Sequence, residues 1–477
     1  MNITNESINT LRAGGVELTK KMDDTLGFSN IIQLLNIKKK GVPLEKLILS
    51  LVSARIDQPD SVLNSVKYLK EESSAPMVFD IDPDEIHEKT YYRSLELIGK
   101  NSEKIYPLLM GQVNKHFKLD TDNIFIDWTS SYFNGDKCSL AKHGFSKDRR
   151  RDKRQVKIGL AMTAGKCIPF HVSVEEGNLI DMKHFRKDYS TFKGKIPKNT
   201  LIVFDKGAKS KGNCKMIRDN GDDYLSAIKD TAELRKKIKQ VDKDSMIDLF
   251  SYENGDKVFG YWNKCGDISE YIYYDERKAK KDAKKRQKKI NKVLTNREEL
   301  IKKIRKKGFK ALTKKKRTTV ELNDSIVTTE ITIQERLAKK TDDEIIAELE
   351  EDKYLDGFFA LESSRNLKPK NALRLYKRKD KVEKLISDLK SVHKIRPFRV
   401  WNDNSVKGAV LICMLATLFV GLLQLTMNCV GKTKKTILDR LRRLTLVVDS
   451  DGFGKIIRKT FANIEGFLVK FMNISFG

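Results

Sequence analysis

Two short apolar runs that end in aspartate constrain this chain more than any other feature. In IFIDWTSSYFNG, Ile124–Ile126 lead into Asp127; in TLIVFDKGAKSKGN, Leu201–Phe204 lead into Asp205. Runs so rich in β-branched and aromatic residues predict strands, the first closing on an Asn-Gly turn. A carboxylate in such apolar surroundings is costly unless it is paired, hydrogen-bonded or holding a metal. The second aspartate is followed by a Gly-containing turn and a helix. It therefore sits at the carboxyl end of a strand, where open α/β sheets place functional residues. VKIGLAMTAG and IPFHVSVEEGN predict two more strands, 181–192 a helix, and KMIRDNGDDYLSAIK a helix, a turn and a strand. The order βββ-α-β-α-β predicts an α/β layered core.

Downstream, Tyr376–Lys390 (YKRKDKVEKLISDLK) predicts one helix, free of Gly and Pro and rich in good helix formers. Steps of 3, 4 and 7 put Tyr376, Lys379, Glu383 and Lys390 on one face. A solvated helix with ordinary i,i+4 ion pairs shows the same pattern; the two aspartates upstream favour a site. Asp127, Asp205 and Glu383 lie 78 and 178 residues apart and can converge only through a fold. Their chemistry suits two Mg²⁺ ions, held by hard oxygen ligands and about 4 Å apart, for an in-line displacement at phosphorus. The lone histidines His171 and His184 are read as structural.

Charge points the same way. The 477 residues carry 94 Lys and Arg against 65 Asp and Glu, a net of +29. That surplus implies a polyanionic partner, DNA or RNA, with an anionic membrane as the rival. Residues 275–317 hold 21 basic and 5 acidic residues, a net of +16, so this tract supplies more than half of the excess. Its apolar residues Ile290, Leu294, Ile301 and Ile304 predict a pair of basic helices rather than a disordered run. The six cysteines form no metal-binding spacing and no disulfide framework, which suits reduced thiols in the cytoplasm. The N-terminus lacks a signal-peptide core. Gly408–Gly431 is uncharged and long enough to span a bilayer, but a helix buried in a large core is the preferred reading.

The chain divides into 1–75, a helical N-terminal domain for DNA binding or dimerisation; 84–122, a helical lead-in; 123–229, the first part of the core; 230–355, a β-containing basic insertion; 356–430, the second part of the core with the Glu383 helix; and 431–477, a helical tail. Residues 73–83 read as a linker.

Taken together, FIDWTSSYFNG, GFSKD, QVKIGL, EGNLID, LIVFDKGAKSKGN and Y-x2-K-x3-E-x6-K resemble the DDE transposases of prokaryotic insertion sequences. They resemble most the branch with the signature Y-x2-R-x3-E-x6-K, whose RNase H-like core is interrupted by an insertion before the last acidic residue. The resemblance spans roughly residues 85–430. It implies that Asp127, Asp205 and Glu383 are the catalytic, metal-binding triad for Mg²⁺, with Mn²⁺ as substitute. It implies that Tyr376, Lys379 and Lys390 contact DNA near the site. It further implies double-stranded DNA partners (transposon ends and target), a homodimer in the DNA complex, and a nucleoid-associated cytoplasmic protein with no membrane role. Lys379 stands where the signature has Arg, and a single ammonium cannot reproduce a bidentate phosphate contact. Asp380 stands where relatives often carry Trp.

The expectation is a transposase that cleaves at the ends of its own element and transfers the strand. A captured transposase that binds DNA without cleaving, a metal-dependent nuclease that never joins strands, and a membrane-anchored basic protein are the alternatives.

Overall fold

The computed structural model describes residues 7–37, 40–134, 137–150, 152–308, 312, 315–322, 325–396, 398–400, 402–427, 434–450 and 456–463. They form two compact units: Met1–Ser226 with Arg374–Gly477, and Ala227–Leu373.

The first unit opens with strand β1 (Ser7–Arg12), followed by helices α1 (Gly14–Leu26), α2 (Phe28–Leu34), α3 (Leu44–Asp57), α4 (Val62–Glu71), α5 (Ala75–Val78), α6 (Glu88–Lys100) and α7 (Ser102–Phe117). Gly27, at φ +62°, separates the first two helices, and Pro43 starts the third. α3 is apolar on every side and is buried almost throughout. The segment 73–83 is more than a connector: it folds into α5 and a short 3₁₀ turn and buries Ala75, Phe79 and Ile81.

The core begins at β2 (Asn123–Tyr132) and continues through β3 (Gln155–Thr163), β4 (Pro169–Glu176), α8 (Asp181–Phe192), β5 (Leu201–Phe204), α9 (Lys211–Asp219) and β6 (Asp223–Ala227). The strand order is β4-β3-β2-β5-β6. The first three strands form an antiparallel meander, β5 runs parallel to β2, and β6 runs parallel to β5. This is an α/β core of the RNase H-like kind. The two-residue period of β2 sorts its side chains. Ile124, Ile126 and Trp128 join Phe185, Tyr189, Phe204 and Ile217 in a cluster with α8 and α9. Asp127 therefore faces the other side of the sheet.

The second unit holds α10 (Ala232–Gln240), β7 (Ile247–Ser251), β8 (Lys257–Cys265), β9 (Ile268–Asp275), α11 (Glu276–Lys307), β10 (Lys315–Leu322), β11 (Ser325–Thr332), α12 (Ile333–Lys339), α13 (Asp342–Glu350) and β12 (Phe358–Ser363). β12, β9, β8 and β7 make an antiparallel sheet, and β10 pairs with β11 as a hairpin. The expected pair of basic helices is one helix of 32 residues. Asp275 caps its start by accepting the backbone N–H of Lys278, no Gly or Pro interrupts it, and Gly308, at φ +66°, ends it.

α14 (Pro369–Arg378) then runs back into the first unit, which ends with α15 (Asp380–Ser391), α16 (Asp403–Thr426), α17 (Lys434–Leu441), β13 (Thr445–Ser450) and β14 (Ile456–Ala462). Two expectations are corrected here. The stretch Tyr376–Lys390 is two helices. The N–H of Lys379 bonds the carbonyl three residues back, at Tyr376, and its own carbonyl accepts from Val382. That tightened turn breaks the α-helical ladder. The tail 431–477 is not wholly helical: after α17, β13 pairs antiparallel with β1 on one side and β14 on the other. The alternation of Leu446 and Val448 fits that strand, and a partner from the far N-terminus stabilises it. Residues 428–433 and 464–477 of the tail, with Cys429, lie outside the described residues.

α16 is long and apolar enough to cross a membrane by length and composition, yet it packs inside this unit against α3, α6, α7 and β4 with most of its residues buried. Two glycines set its distance from α6. A Cβ on Gly408 would lie 2.1 Å from the carbonyl oxygen of Leu95, and one on Gly99 would lie 1.8 Å from that of Asn404. Neither backbone can give way locally. Gly408→Val should therefore lower the unfolding free energy by about 3 kcal/mol or abolish soluble expression; a Tm within a degree of wild type would contradict this packing.

Candidate active site

Each acidic residue is placed by its own element. Asp127 lies on the face of β2 opposite the α8–α9 cluster, where α15 packs on β2 and β3. Its Oδ1 accepts the backbone N–H of Trp128 at 2.8 Å, and the Lys147 ammonium stands 3.5 Å away. Asp205 is the first residue beyond β5. Its Oδ1 accepts the N–H of Lys206 at 2.9 Å and the phenol of Tyr376, on α14, at 3.0 Å. Glu383 is in the first turn of α15 and accepts from Lys379 Nζ at 2.8 Å.

Lys379 occupies the break between α14 and α15 and is only 5% exposed. Burial pulls its ammonium towards neutrality, but the attraction of Asp127, Glu383 and Asp205 outweighs this and raises its pKa. Asp127 is pushed up by burial, with Lys147 and Lys379 opposing. The Tyr376 phenol is pushed up by burial and by the Asp205 charge, with Glu383 and Asp127 adding to it. Asp127, Asp205 and Glu383 thus act on the same lysine and the same tyrosine. The fold brings together five of the six residues singled out in the sequence. The sixth, Lys390, is the last but one residue of α15 and pairs elsewhere. Its ammonium donates to Asp148 at 2.7 Å, and Arg396 meets the same oxygen at 2.5 Å.

A divalent cation fits the chemistry of this donor set. All three acidic residues offer hard carboxylate oxygens, and the like charges already require positive charge among them, which Lys379 and Lys147 supply. Among the described residues no three His, Cys, Asp or Glu side chains stand close enough to share one ion. The lysine ammonium is the counter-charge in this arrangement.

Lys147, Asp148 and Arg396 were not evident from the sequence. The first two sit in a run of alternating charges that looks like a solvated loop. One bond that anchors the run is the Lys147 N–H donating to Ser130 Oγ of β2 at 2.9 Å. Lys147 Nζ also reaches the carbonyl of Trp128. Behind the strand, the Trp128 indole donates to the buried Asp188 at 2.8 Å, and His171 lies 3.2 Å from the other oxygen of Asp188. His184, held neutral by burial, lies 2.7 Å from Ser173. This buried network fixes the residue next to Asp127, and it is where both histidines are used.

The sequence of residues 118–419 matches the transposase DDE domain family, more than half of the chain. The chain belongs to that family. The matched segment includes all six candidate residues of the DDE domain and the whole of the second unit. No curated protein sequence matches the chain. Among solved structures, the cryo-electron microscopy structure of a piggyBac transposase synaptic complex with hairpin DNA aligns at a TM-score of 0.41 and 11% identity. It covers 90% of this chain and 78% of that one, a likeness too loose to support an inference.

If Lys379 balances the carboxylates, its loss is a stability defect that metal repairs. Lys379→Met should cost about 1–3 kcal/mol without divalent ions, and millimolar Mn²⁺ should raise the Tm of the variant more than that of wild type. Equal responses of the two proteins to Mn²⁺ would contradict this role.

Proposed function

We propose that the chain is the transposase of a prokaryotic insertion sequence, in the branch with the Y-x2-R-x3-E-x6-K signature. It binds the terminal inverted repeats of its own element, acts as a homodimer on DNA, cleaves at the element ends and transfers the strand to target DNA. The observation that carries this reading is the convergence of Asp127, Asp205 and Glu383 on Lys379 and Tyr376 in an RNase H-like core.

Asp127, Asp205 and Glu383 would hold Mg²⁺, or Mn²⁺ in its place, in one or two ions. Such an ion supplies Lewis acidity at the phosphoryl oxygens and lowers the pKa of a bound water. In the first step a water oxygen bonds to phosphorus while the bond to the 3′ oxygen breaks; one proton of the water ends on that 3′ oxygen and the other is lost from the new 5′-phosphate to solvent. In the second, the freed 3′-hydroxyl bonds to a target phosphorus and the target's own 3′ oxygen leaves. The number of phosphodiester bonds is unchanged in that second step.

The protein's part is positioning and charge. Tyr376 orients Asp205. Lys379 and Lys147 offer cations to the backbone phosphates as DNA arrives. Residues 1–75 contribute DNA contacts or hold the two copies together. The outer face of α11 presents Arg277, Lys281, Lys284, Lys288 and Lys292, all exposed, to backbone phosphates. Binding through such contacts weakens steeply with salt.

With DNA carrying the element's own ends and Mg²⁺ or Mn²⁺, wild type should cleave. Asp205→Ala should lose about a thousandfold or more of that activity while still binding the DNA. Asp127→Ala should do the same. Cleavage that survives either substitution, or DNA binding lost in step with cleavage, would refute the assigned roles.

A further inference from the structure

A second cationic site lies in the first unit, between the helical N-terminal block and the segment that follows α15. It is a cavity of about 110 Å³, lined by Arg55, Asp60, Ser61, Lys394, Arg396 and Arg399 among others. At roughly 30 Å³ per water molecule, it has room for three or four waters or a group of that size.

Its construction is that of an anion site. Arg55, at the end of α3, is 9% exposed, and its Nε has no hydrogen-bond partner among the described residues. One of its terminal nitrogens donates to the carbonyl of His393 at 3.3 Å. That leaves the buried Arg55 guanidinium short of acceptors at the wall of the cavity. Ser61 is the N-cap of α4, a helix of 10 residues, and Val62 begins its first turn; both line the cavity. The positive end of that helix favours an anion there. Lys394 and Arg399 are exposed at the mouth.

Four cations and the carboxylate of Asp60 line the cavity, and one of the cations, Arg396, is already paired with Asp148. Asp60 accepts the N–H of Ser61 at 2.6 Å. Partial burial works to raise its pKa, but the bonds from Ser61 and Asn64 and the charges of Lys394 and Arg399 hold it below the usual carboxylate range. Asp60 therefore stays ionised and balances only part of the positive charge. His393 does not add to it: burial holds its pKa down at about 3, so it is neutral at pH 7.

The cavity is also wired to the candidate active site. Arg396 lines it and bonds Asp148, and Asp148 bonds Lys390 on α15, the helix that carries Glu383. A ligand that draws on Arg396 would shift its share of Asp148.

We infer that this cavity binds a phosphate group, and that in the working protein the phosphate is one of the DNA backbone held beside the α15 helix. The choice of DNA as the source rests on the reading of the chain as a transposase; the phosphate site itself does not.

The test uses full-length protein and the double variant Lys394→Gln/Arg399→Gln. Both residues are exposed, so the fold should be kept. The first arm measures thermal stabilisation by inorganic phosphate. The second measures affinity for duplex DNA against salt concentration, where each lost phosphate contact flattens the slope of log K on log salt by about 0.9. The expected result is phosphate stabilisation in wild type but not in the variant, and a slope shallower by about one to two in the variant. Phosphate stabilisation that needs both residues, in a protein that binds no DNA, would keep the site, assign it a small phosphate compound and overturn the DNA source. DNA binding with an unchanged slope and no response to phosphate would overturn the site and leave the transposase reading standing. An equal response of both proteins to phosphate would also overturn it.

Discussion

Three carboxylates cannot be gathered at one end of a sheet without positive charge among them. Like charges in a partly desolvated site repel more strongly than they do in water. This chain meets the constraint with Lys379, a buried ammonium bonded to Glu383 and attracted by Asp127 and Asp205, with Lys147 beside Asp127. Much of the local architecture follows from that need. The break between α14 and α15 turns Lys379 inward, Tyr376 clamps Asp205, and the loop around Lys147 is tied to β2 through Ser130.

The sheet explains why the site can exist at all. Alternation along β2 sends Ile124, Ile126 and Trp128 into the α8–α9 cluster and leaves Asp127 on the opposite side. Parallel pairing of β2 with β5 aligns Phe125 with Val203, so the aspartates that follow come out at the same end. The sequence-remote Glu383 arrives on a helix laid across that face. The cost of burying Asp127 is only partly offset by its partners, as the raised pKa of the group records.

The local patterns that repeat at short range were legible in the sequence. The apolar runs before Asp127 and Asp205, the switch of period at Asn123 and the long uncharged run from Gly408 within α16 each declare their element through side-chain chemistry alone. What was not legible depends on distant partners. β13 exists because β1, more than 430 residues earlier, pairs with it. The break at Lys379 has no Gly or Pro to announce it and is imposed by the charges it must reach. The basic tract reads as two helices from the spacing of Ile290, Leu294, Ile301 and Ile304. The structure keeps a single helix by pairing Lys278, Arg286 and Arg297 with acidic residues within the same unit. Lys147, Asp148 and Arg396 look like ordinary surface charges until the fold shows what they touch.

The central proposal is that Lys379 occupies the place of a divalent cation that Asp127, Asp205 and Glu383 would hold. The most direct measurement is an anomalous-difference map from crystals soaked in Mn²⁺. The account predicts a peak among Asp127, Asp205 and Glu383, with the Lys379 ammonium withdrawn from its 2.8 Å contact with Glu383. No peak at that place, or manganese bound elsewhere while Lys379 keeps its contact, would contradict it.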